Sequence, residues 1–403
     1  MKLTALGLRV SRAAAVLVGG GLVLGVSAAL WAGMALLLLL GVSALALPRA
    51  RIAVERKLDR EQLVEGEGLK ERLEVTLKGR RTVRLRLRES AGDGLASEAA
   101  AWTTRLSPKA PHAREIEWTA SSWGRKSIGP LEAWAGDAFG LLEERVEGDE
   151  GHAVLVLPRA LPLGKHRPKA SIPQPAIGVH NVPRPGDGFE FFALRDYQPG
   201  DSIRRINWKA SARYNKTVVN QVTRESFARV TILLDLRAKE ILGDPRPWVL
   251  NGRAAASILE HHDRMRDHLT VIVLGDVAEK LVEAANPRSA DLVKAMVERP
   301  PRGHVATTDA VRGHLPSFRR KSPTYVVTSA VFDPDLIESI EILRALEADV
   351  HLVSPRADHE PVGPAGRLLA ESRNEALAAA RALGVKVTDW SGSSSLEVAF
   401  IES

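Results

Sequence analysis

The chain has 403 residues, enough for two or three domains, and its 45% hydrophobic and 26% charged content is an ordinary globular balance. It contains no cysteine, which excludes a disulfide framework and thiolate chemistry. The formal net charge of +7 arises from 56 basic residues mixed among 49 acidic ones, a pattern that argues against a dedicated nucleic-acid binder and leaves an anionic membrane surface open.

From Ala13 to Leu47 no residue is charged. As one helix this run would reach roughly 50 Å, well past a hydrocarbon core of about 30 Å. Two spans near 13–29 and 32–47, joined by a turn at Trp31-Ala32-Gly33, fit it better and make a transmembrane hairpin of segment 1–50. Lys2, Arg9 and Arg12 precede it; Arg49, Arg51, Arg56 and Lys57 follow. The positive-inside rule then places both ends, and the soluble domains, in the cytoplasm of a two-span cell-membrane protein. Two other readings compete. One is a single tilted span with the soluble part outside, because Gly19, Gly20 and Gly21 can bend or end a helix. The other is a signal peptide with Val26-Ser27-Ala28 as its cleavage site.

Over 51–150 the hydrophobic period changes to two. The runs at 73–78 and 83–88 alternate, 116–119 is a third candidate strand, and Gly66, Gly79, Gly92-Asp93-Gly94 and Pro108 punctuate them. This pattern predicts an antiparallel β-sandwich, with Trp102, Trp118, Trp123 and Trp134 as core and hairpin packing. Residues 151–229 form a connector: a strand at 154–157, then a basic loop with Pro162, Pro168, Pro173, Pro175, Pro183 and Pro185, too proline-dense for regular structure. From 230 to 403 apolar strands at 230–234, 269–274, 324–328, 349–353 and 385–388 alternate with helices near 288–299, 335–348 and 371–383. Asn251 is placed as the cap of a further helix running to about His268. This rhythm predicts a parallel sheet with helices on both faces. Asp333-Pro334-Asp335 reads as a helix start.

The stretch 188–213 does not alternate as a strand and carries no heptad. It sets Glu190, Arg195, Tyr197, Asp201, Arg204, Trp208, Lys209 and Arg213 around a Pro199-Gly200 turn. Oppositely charged groups beside aromatics are costly to bury unless paired, which assigns the stretch a specific task. One reading is an internal clasp, with Arg195 or Arg204 paired to Glu190 or Asp201 and Trp208 plugging a seam between the domains. The other is a docking face turning Arg204, Arg205, Lys209 and Arg213 toward an acidic partner. The two are compatible.

Gly188, Glu190, Phe191, Leu194, Arg195, Tyr197, Pro199, Gly200, Asp201, Arg204, Ile206, Trp208, Ala212 and Arg213 resemble the signature of the domain-of-unknown-function 58 (DUF58) family. Trp123-Gly124-Arg125-Lys126-Ser127-Ile128-Gly129-Pro130 resembles a second family segment in altered form. Asp137-Ala138-Phe139-Gly140-Leu141 resembles Asp-Pro-Phe-Gly-Leu, with Ala138 where proline is usual. The resemblance implies a multidomain chain: a membrane hairpin, a β-sandwich, and a von Willebrand factor type A-like (Rossmann-like) α/β domain. It also implies association with MoxR-type AAA+ ATPases and other membrane proteins.

Type A domains of this kind often hold a divalent cation on an Asp-x-Ser-x-Ser loop, a distant Thr and a distant Asp. Here Asp235 matches the first acid, but Arg237 and Lys239 stand at the serine positions. Thr307 or Thr308 supplies the threonine, and Ser329 stands where the last acid is expected. A unit like charge about 4 Å away costs on the order of 4 kcal/mol at an effective dielectric near 20. No metal is therefore expected, and Arg237 or Lys239 is expected to supply the positive charge beside Asp235.

No Walker A loop and no His-Glu-x-x-His occur, and His261, His262, Asp263 and His268 read as an exposed polar helix face. No catalytic set and no cofactor are expected. The functional expectation is a non-catalytic, membrane-anchored protein-binding adaptor. The alternatives are a nucleic-acid-binding membrane protein using the basic-aromatic stretch 195–229, and a hydrolase centred on Asp235.

Overall fold

A computed structural model describes residues 1–46, 51–78, 82–108, 110–137, 139–146, 151–163, 182–224, 228–237, 246–282, 287–356, 363–392 and 394–401. For 182–193 and 221–224 it describes the backbone alone. The expected proline-rich loop falls mostly on 164–181, outside the described residues. The contacts divide the chain into two compact units, 1–157 and 158–403.

In the first unit, helices Ala5–Leu24 and Ser27–Ala46 are each long and apolar enough to cross a membrane. The turn between them lies at Gly25-Val26 rather than at 31–33. Gly25 takes the left-handed conformation (φ 66°) that closes a helix end. Gly33, expected in the turn, sits mid-helix where a Cβ would come within 2.6 Å of Val18 Cγ2, so a missing side chain is what lets the two helices touch. The first helix also starts earlier than the charge-free run, because Thr4 caps it: Thr4 Oγ1 accepts from Gly7 N–H at 3.0 Å. Arg9 and Arg12 ride within it, and Gly19, Gly20 and Gly21 neither end nor break it.

The β part of this unit is two facing sheets. One is four-stranded, in the order Arg51–Leu58, Gly68–Lys78, His112–Ala120, Leu95–Ala96; the other is seven-stranded around Gly124–Gly136 and Val83–Ala91. All pairs are antiparallel except Gln62–Val64 with His152–Leu157, which run parallel. The alternation read from sequence becomes burial: Leu69, Leu73, Val75, Leu85, Leu87 and Trp118 are buried between polar, outward-facing neighbours. Arg56, expected as a membrane-flanking cation, is instead buried between the sheets. Its Nη1 donates to Glu71 and, at 3.0 Å, to Glu89 Oε1, while Trp118 Nε1 donates to Glu71 Oε2 at 2.8 Å.

In the second unit the strand order is Ala278–Lys280, His268–Leu274, Arg229–Asp235, Pro323–Val327, Asp349–Arg356, Lys386–Ser391. Numbered along the chain this is 3-2-1-4-5-6, the doubly wound order, parallel throughout apart from the antiparallel edge strand Ala278–Lys280. That edge strand and helix Thr307–Gly313 were not legible beforehand: three and seven residues are too short to show a period. Leu233, Ile272, Val326 and Leu352 pack with Ile340, Leu343 and Leu377 on one face. The alternate residues Ile232 and Leu234 point to the other.

Two expectations for helix Pro247–Arg264 are corrected. Asn251 does not cap it; Pro247 occupies the first turn, and the buried Asn251 Nδ2 donates to Asp235 O at 2.8 Å. His262 is not on an exposed face but fully buried, 2.7 Å from Asp267 Oδ2 and 3.0 Å from Tyr325 Oη. Burial, with the nearby acids Asp349 and Asp267, pushes the Tyr325 hydroxyl pKa up.

The signature region is also more regular than expected. Strands Val182–Asp196 and Val218–Arg224 pair antiparallel, and the connection between them holds a 3₁₀ turn, Ile203–Arg205, and helix Trp208–Tyr214. Register shifts at Val182/Pro185, Gly186/Phe191 and Phe191/Ala193 interrupt the pairing. Each shift breaks the two-residue alternation, which is why no strand was visible in the sequence.

Candidate functional site

In a doubly wound sheet the crevice lies beyond the carboxyl ends of the strands, where the order reverses. Here that point is between strands 1 and 4, and Asp235 ends the first of them. Thr328, just past the fourth, donates its hydroxyl to Asp235 Oδ2 at 2.8 Å. Backbone hydrogen bonds from Arg302 N–H to Leu236 O and from Val305 N–H to Gly275 O draw the 302–307 segment against the strand ends.

Into this crevice the chain inserts its own cation. Arg237 grips Asp235 in a fork, Nε to Oδ1 and Nη2 to Oδ2, both at 2.8 Å. The same Nη2 donates to Asp333 Oδ2 at 2.5 Å, and Nη1 donates to Val305 O at 3.0 Å. Thr307 Oγ1 completes the ring by donating to Asp333 Oδ2 at 2.8 Å. Asp235 is 2% exposed and Arg237 8%. Burial by itself would lower the Arg237 pKa; hydrogen bonds and charge from Asp235, then Asp333, outweigh it and raise it further above the usual arginine value. The guanidinium stays charged and is satisfied on three sides.

Asp235, Arg237 and Thr307 thus meet. Thr308 is buried but the hydroxyl used is that of Thr307. Lys239 lies outside the described residues. The acid assigned to Ser329 is instead Asp333, four residues further on: Ser329 is buried with its carbonyl accepting from Ser354 Oγ, whereas the turn after strand 4 swings Asp333 back over the strand ends. A helix-start reading of Asp333-Pro334-Asp335 hid this role; the helix itself begins at Leu336. The donor set does not fit a divalent cation, because the guanidinium takes the space between the two carboxylates where such an ion would sit.

The second constellation is the signature hairpin tip. Arg195 and Asp201 form a two-pronged pair, Nη1 to Oδ2 at 2.7 Å and Nη2 to Oδ1 at 2.6 Å, and Gln198 N–H also donates to Asp201 Oδ2 at 2.8 Å. The hydrogen bond from Arg195, then that from Gln198, lowers the Asp201 pKa to about 2. Asn207 caps helix Trp208–Tyr214 through Ala210 N–H at 3.0 Å and ties it back to Asn220 Oδ1 at 2.9 Å. On this frame Trp208 is 67% exposed, Ile203 69% and Tyr214 58%. Trp208 is therefore not a buried plug. Arg204, Arg205, Lys209 and Arg213 are exposed beside it, and from 202 to 224 the sequence has six basic residues and no acidic one. Tyr197 is partly exposed at the turn. The side chain of Glu190 lies outside the described residues.

No curated protein matches the chain. Among solved structures, a fragment of Escherichia coli alpha-2-macroglobulin, from domain MG7 to the C-terminus, aligns at 15% identity over 27% of this chain, TM-score 0.23, and the alignment spans 17% of that protein's length. The VWA domain of SpRpn10 aligns at 14% identity over 44% of this chain and 95% of its own, TM-score 0.29. A CARDB domain from Pyrococcus furiosus aligns at 15% identity over 27% of this chain and 89% of its own, TM-score 0.18. The family model described as "Protein of unknown function DUF58" matches residues 193–368, a span that takes in both the hairpin tip and the Arg237 network. Over that span the chain resembles DUF58 proteins.

Proposed function

We propose that this chain is a membrane-anchored, non-catalytic adaptor that docks an acidic protein surface through the 197–217 tip of the signature hairpin. The observation that carries the reading is the exposure of Trp208, Ile203 and Tyr214 among cations on a rigidly braced frame. Aromatics and arginine are the usual interface anchors, and the Arg195–Asp201 pair orders the loop before any partner arrives, which lowers the entropic cost of docking. The buried Arg237 network supports a non-catalytic reading, since both Asp235 oxygens are engaged inside the protein. The two apolar helices support the anchor, with the hairpin's basic flank Lys2, Arg9 and Arg12 favouring a cytoplasmic start. A MoxR-type AAA+ ATPase is the partner class that the family resemblance favours.

The test is titration of the detergent-solubilised full chain with a purified MoxR-type ATPase at two salt concentrations. Arg204→Glu/Lys209→Glu is expected to weaken binding by about tenfold or more while leaving the melting profile unchanged, and high salt is expected to weaken the parent complex. Equal binding by parent and charge-reversed chains would rule the tip out as the docking face.

A further inference from the structure

One face of the seven-stranded sheet carries charge that no carboxylate among the described residues neutralises. Arg84 and Arg105 are direct cross-strand partners, so their side chains leave the same face of the sheet side by side. Like charges placed this way repel. Both are exposed, and neither has a carboxylate partner among the described residues. The neighbouring Arg86 differs: it holds Glu143 with Nη2 at 2.9 and 3.1 Å and lies 4.3 Å over the Trp134 ring.

A cavity of about 170 Å³ opens on this face, lined among others by Thr4, Arg84, Arg86, Thr103 and Trp134. Two acids also border it, but both are spent within the protein. Glu143 is held by Arg86, and the Asp137 oxygens accept from Phe139 N–H at 3.1 Å and Leu142 N–H at 2.9 Å.

The cavity's position is set by the Asp137–Leu141 turn, a motif that the proposed function leaves unused. Thr4 Oγ1 donates to Gly140 O at 2.6 Å, Thr4 N–H donates to Leu141 O at 3.0 Å, and Lys2–Leu3 adds a short strand beside Leu142–Val146. These bonds staple the start of the first apolar helix to the sheet. The cavity is therefore at the helix's mouth, since Thr4 is at once its lining and the helix cap.

We infer that Arg84, with Arg105 beside it, forms a binding site for the phosphate of an anionic phospholipid headgroup. The inference rests on the membrane-anchored reading above, under which the helix start at Thr4 and the basic flank of Arg9 and Arg12 lie at the headgroup level. Arginine pairs suit phosphate oxygens geometrically and electrostatically. Tryptophan belongs at the headgroup level. An anionic headgroup bridging Arg84 and Arg105 relieves their mutual repulsion, and basic pockets on the cytoplasmic side of membrane helices take such headgroups.

The test uses the full chain in a neutral detergent, titrated with short-chain phosphatidylglycerol, short-chain phosphatidylcholine or inorganic phosphate, with the melting temperature of the first unit as readout. Phosphatidylglycerol is expected to raise it saturably, and Arg84→Gln/Arg105→Gln to shift the midpoint at least about tenfold. Arg72→Gln/Arg319→Gln, which removes the same charge elsewhere, is expected to titrate like the parent. Equal effects of the two lipids, an unshifted midpoint in the Arg84/Arg105 variant, or inorganic phosphate as effective as the lipid would each overturn the inference. Membrane fractionation of the same chain separates the two levels. A chain found in the membrane fraction but without headgroup preference removes the lipid site and leaves the anchor standing; a chain found in the soluble fraction removes both.

Discussion

Arg237→Ala removes the cation on which the strand-end crevice is built. Asp235 Oδ2 and Asp333 Oδ2 lie 2.8 and 2.5 Å from the same Arg237 nitrogen. Without it two buried carboxylates face each other across about 5 Å, a repulsion of about 3 kcal/mol at an effective dielectric near 20. Breaking a buried pair by deleting one partner costs about 3–5 kcal/mol in total, because the remaining charge is stranded. For a unit of this size that is a fall of about 10 °C in melting temperature. The variant also opens a cavity with the oxygen donors a hard cation wants: Asp235, Asp333, Val305 O and the Thr307 and Thr328 hydroxyls. Millimolar Mn²⁺ or Mg²⁺ is thus expected to restore about 2–3 kcal/mol to the variant and to leave the parent unchanged. Calorimetric melting of the full chain in detergent, with and without the ion, reads both effects. A loss below about 1 kcal/mol, or an equal response of parent and variant to the ion, would refute the claim that a guanidinium stands in the cation's seat.

Two further outcomes follow from other parts of the fold. Asp201 has its pKa depressed to about 2 in the folded tip, against an ordinary aspartate value of 3.8. Its contribution is present above the unfolded value and is lost as pH falls through that window. Protease susceptibility within 197–217 should therefore rise between about pH 4 and pH 2, and Asp201→Asn should show it already at neutral pH; an unchanged cleavage profile in the variant would contradict the bracing role. In the sandwich, Arg56→Ala is expected to cost about 3–5 kcal/mol by stranding Glu71 and Glu89. The triple replacement Arg56→Met/Glu71→Gln/Glu89→Leu, which keeps an acceptor for Trp118, is expected to recover most of that loss in chemical unfolding. Equal destabilisation by the single and triple variants would show that the buried charges contribute net stability.

Short-range periodicity is the part of this fold that can be read from the linear chain. A charge-free run of membrane-spanning length announced the two helices, alternation at 73–78 and 83–88 announced sandwich strands, and the continuous apolar run at 230–234 announced a strand buried on both faces. Each rests on the chain's own repeat of 2.0 or 3.6 residues, legible without knowing any neighbour. The signature's residue types also disclosed a paired charge and an exposed cationic face, though bulges hid its strands.

Features built by segments that meet from far apart emerge with the folded chain alone. Ser329 stood in sequence where the last acid was expected, and Asp333 read as a helix start; the path of one turn after the fourth strand brought Asp333 to that place. Arg56 read in sequence as a membrane flank, and what placed it in the core was the closing of two sheets over it with Glu71 and Glu89. Gly33 was as good a turn residue as Gly25, and what assigned it to a helix contact was Val18 on the facing helix. Arg84 and Arg105 stand 21 positions apart, and sheet register alone makes them neighbours. Charge placement and close approach depend on through-space distance, and the linear spacing of residues does not specify that distance.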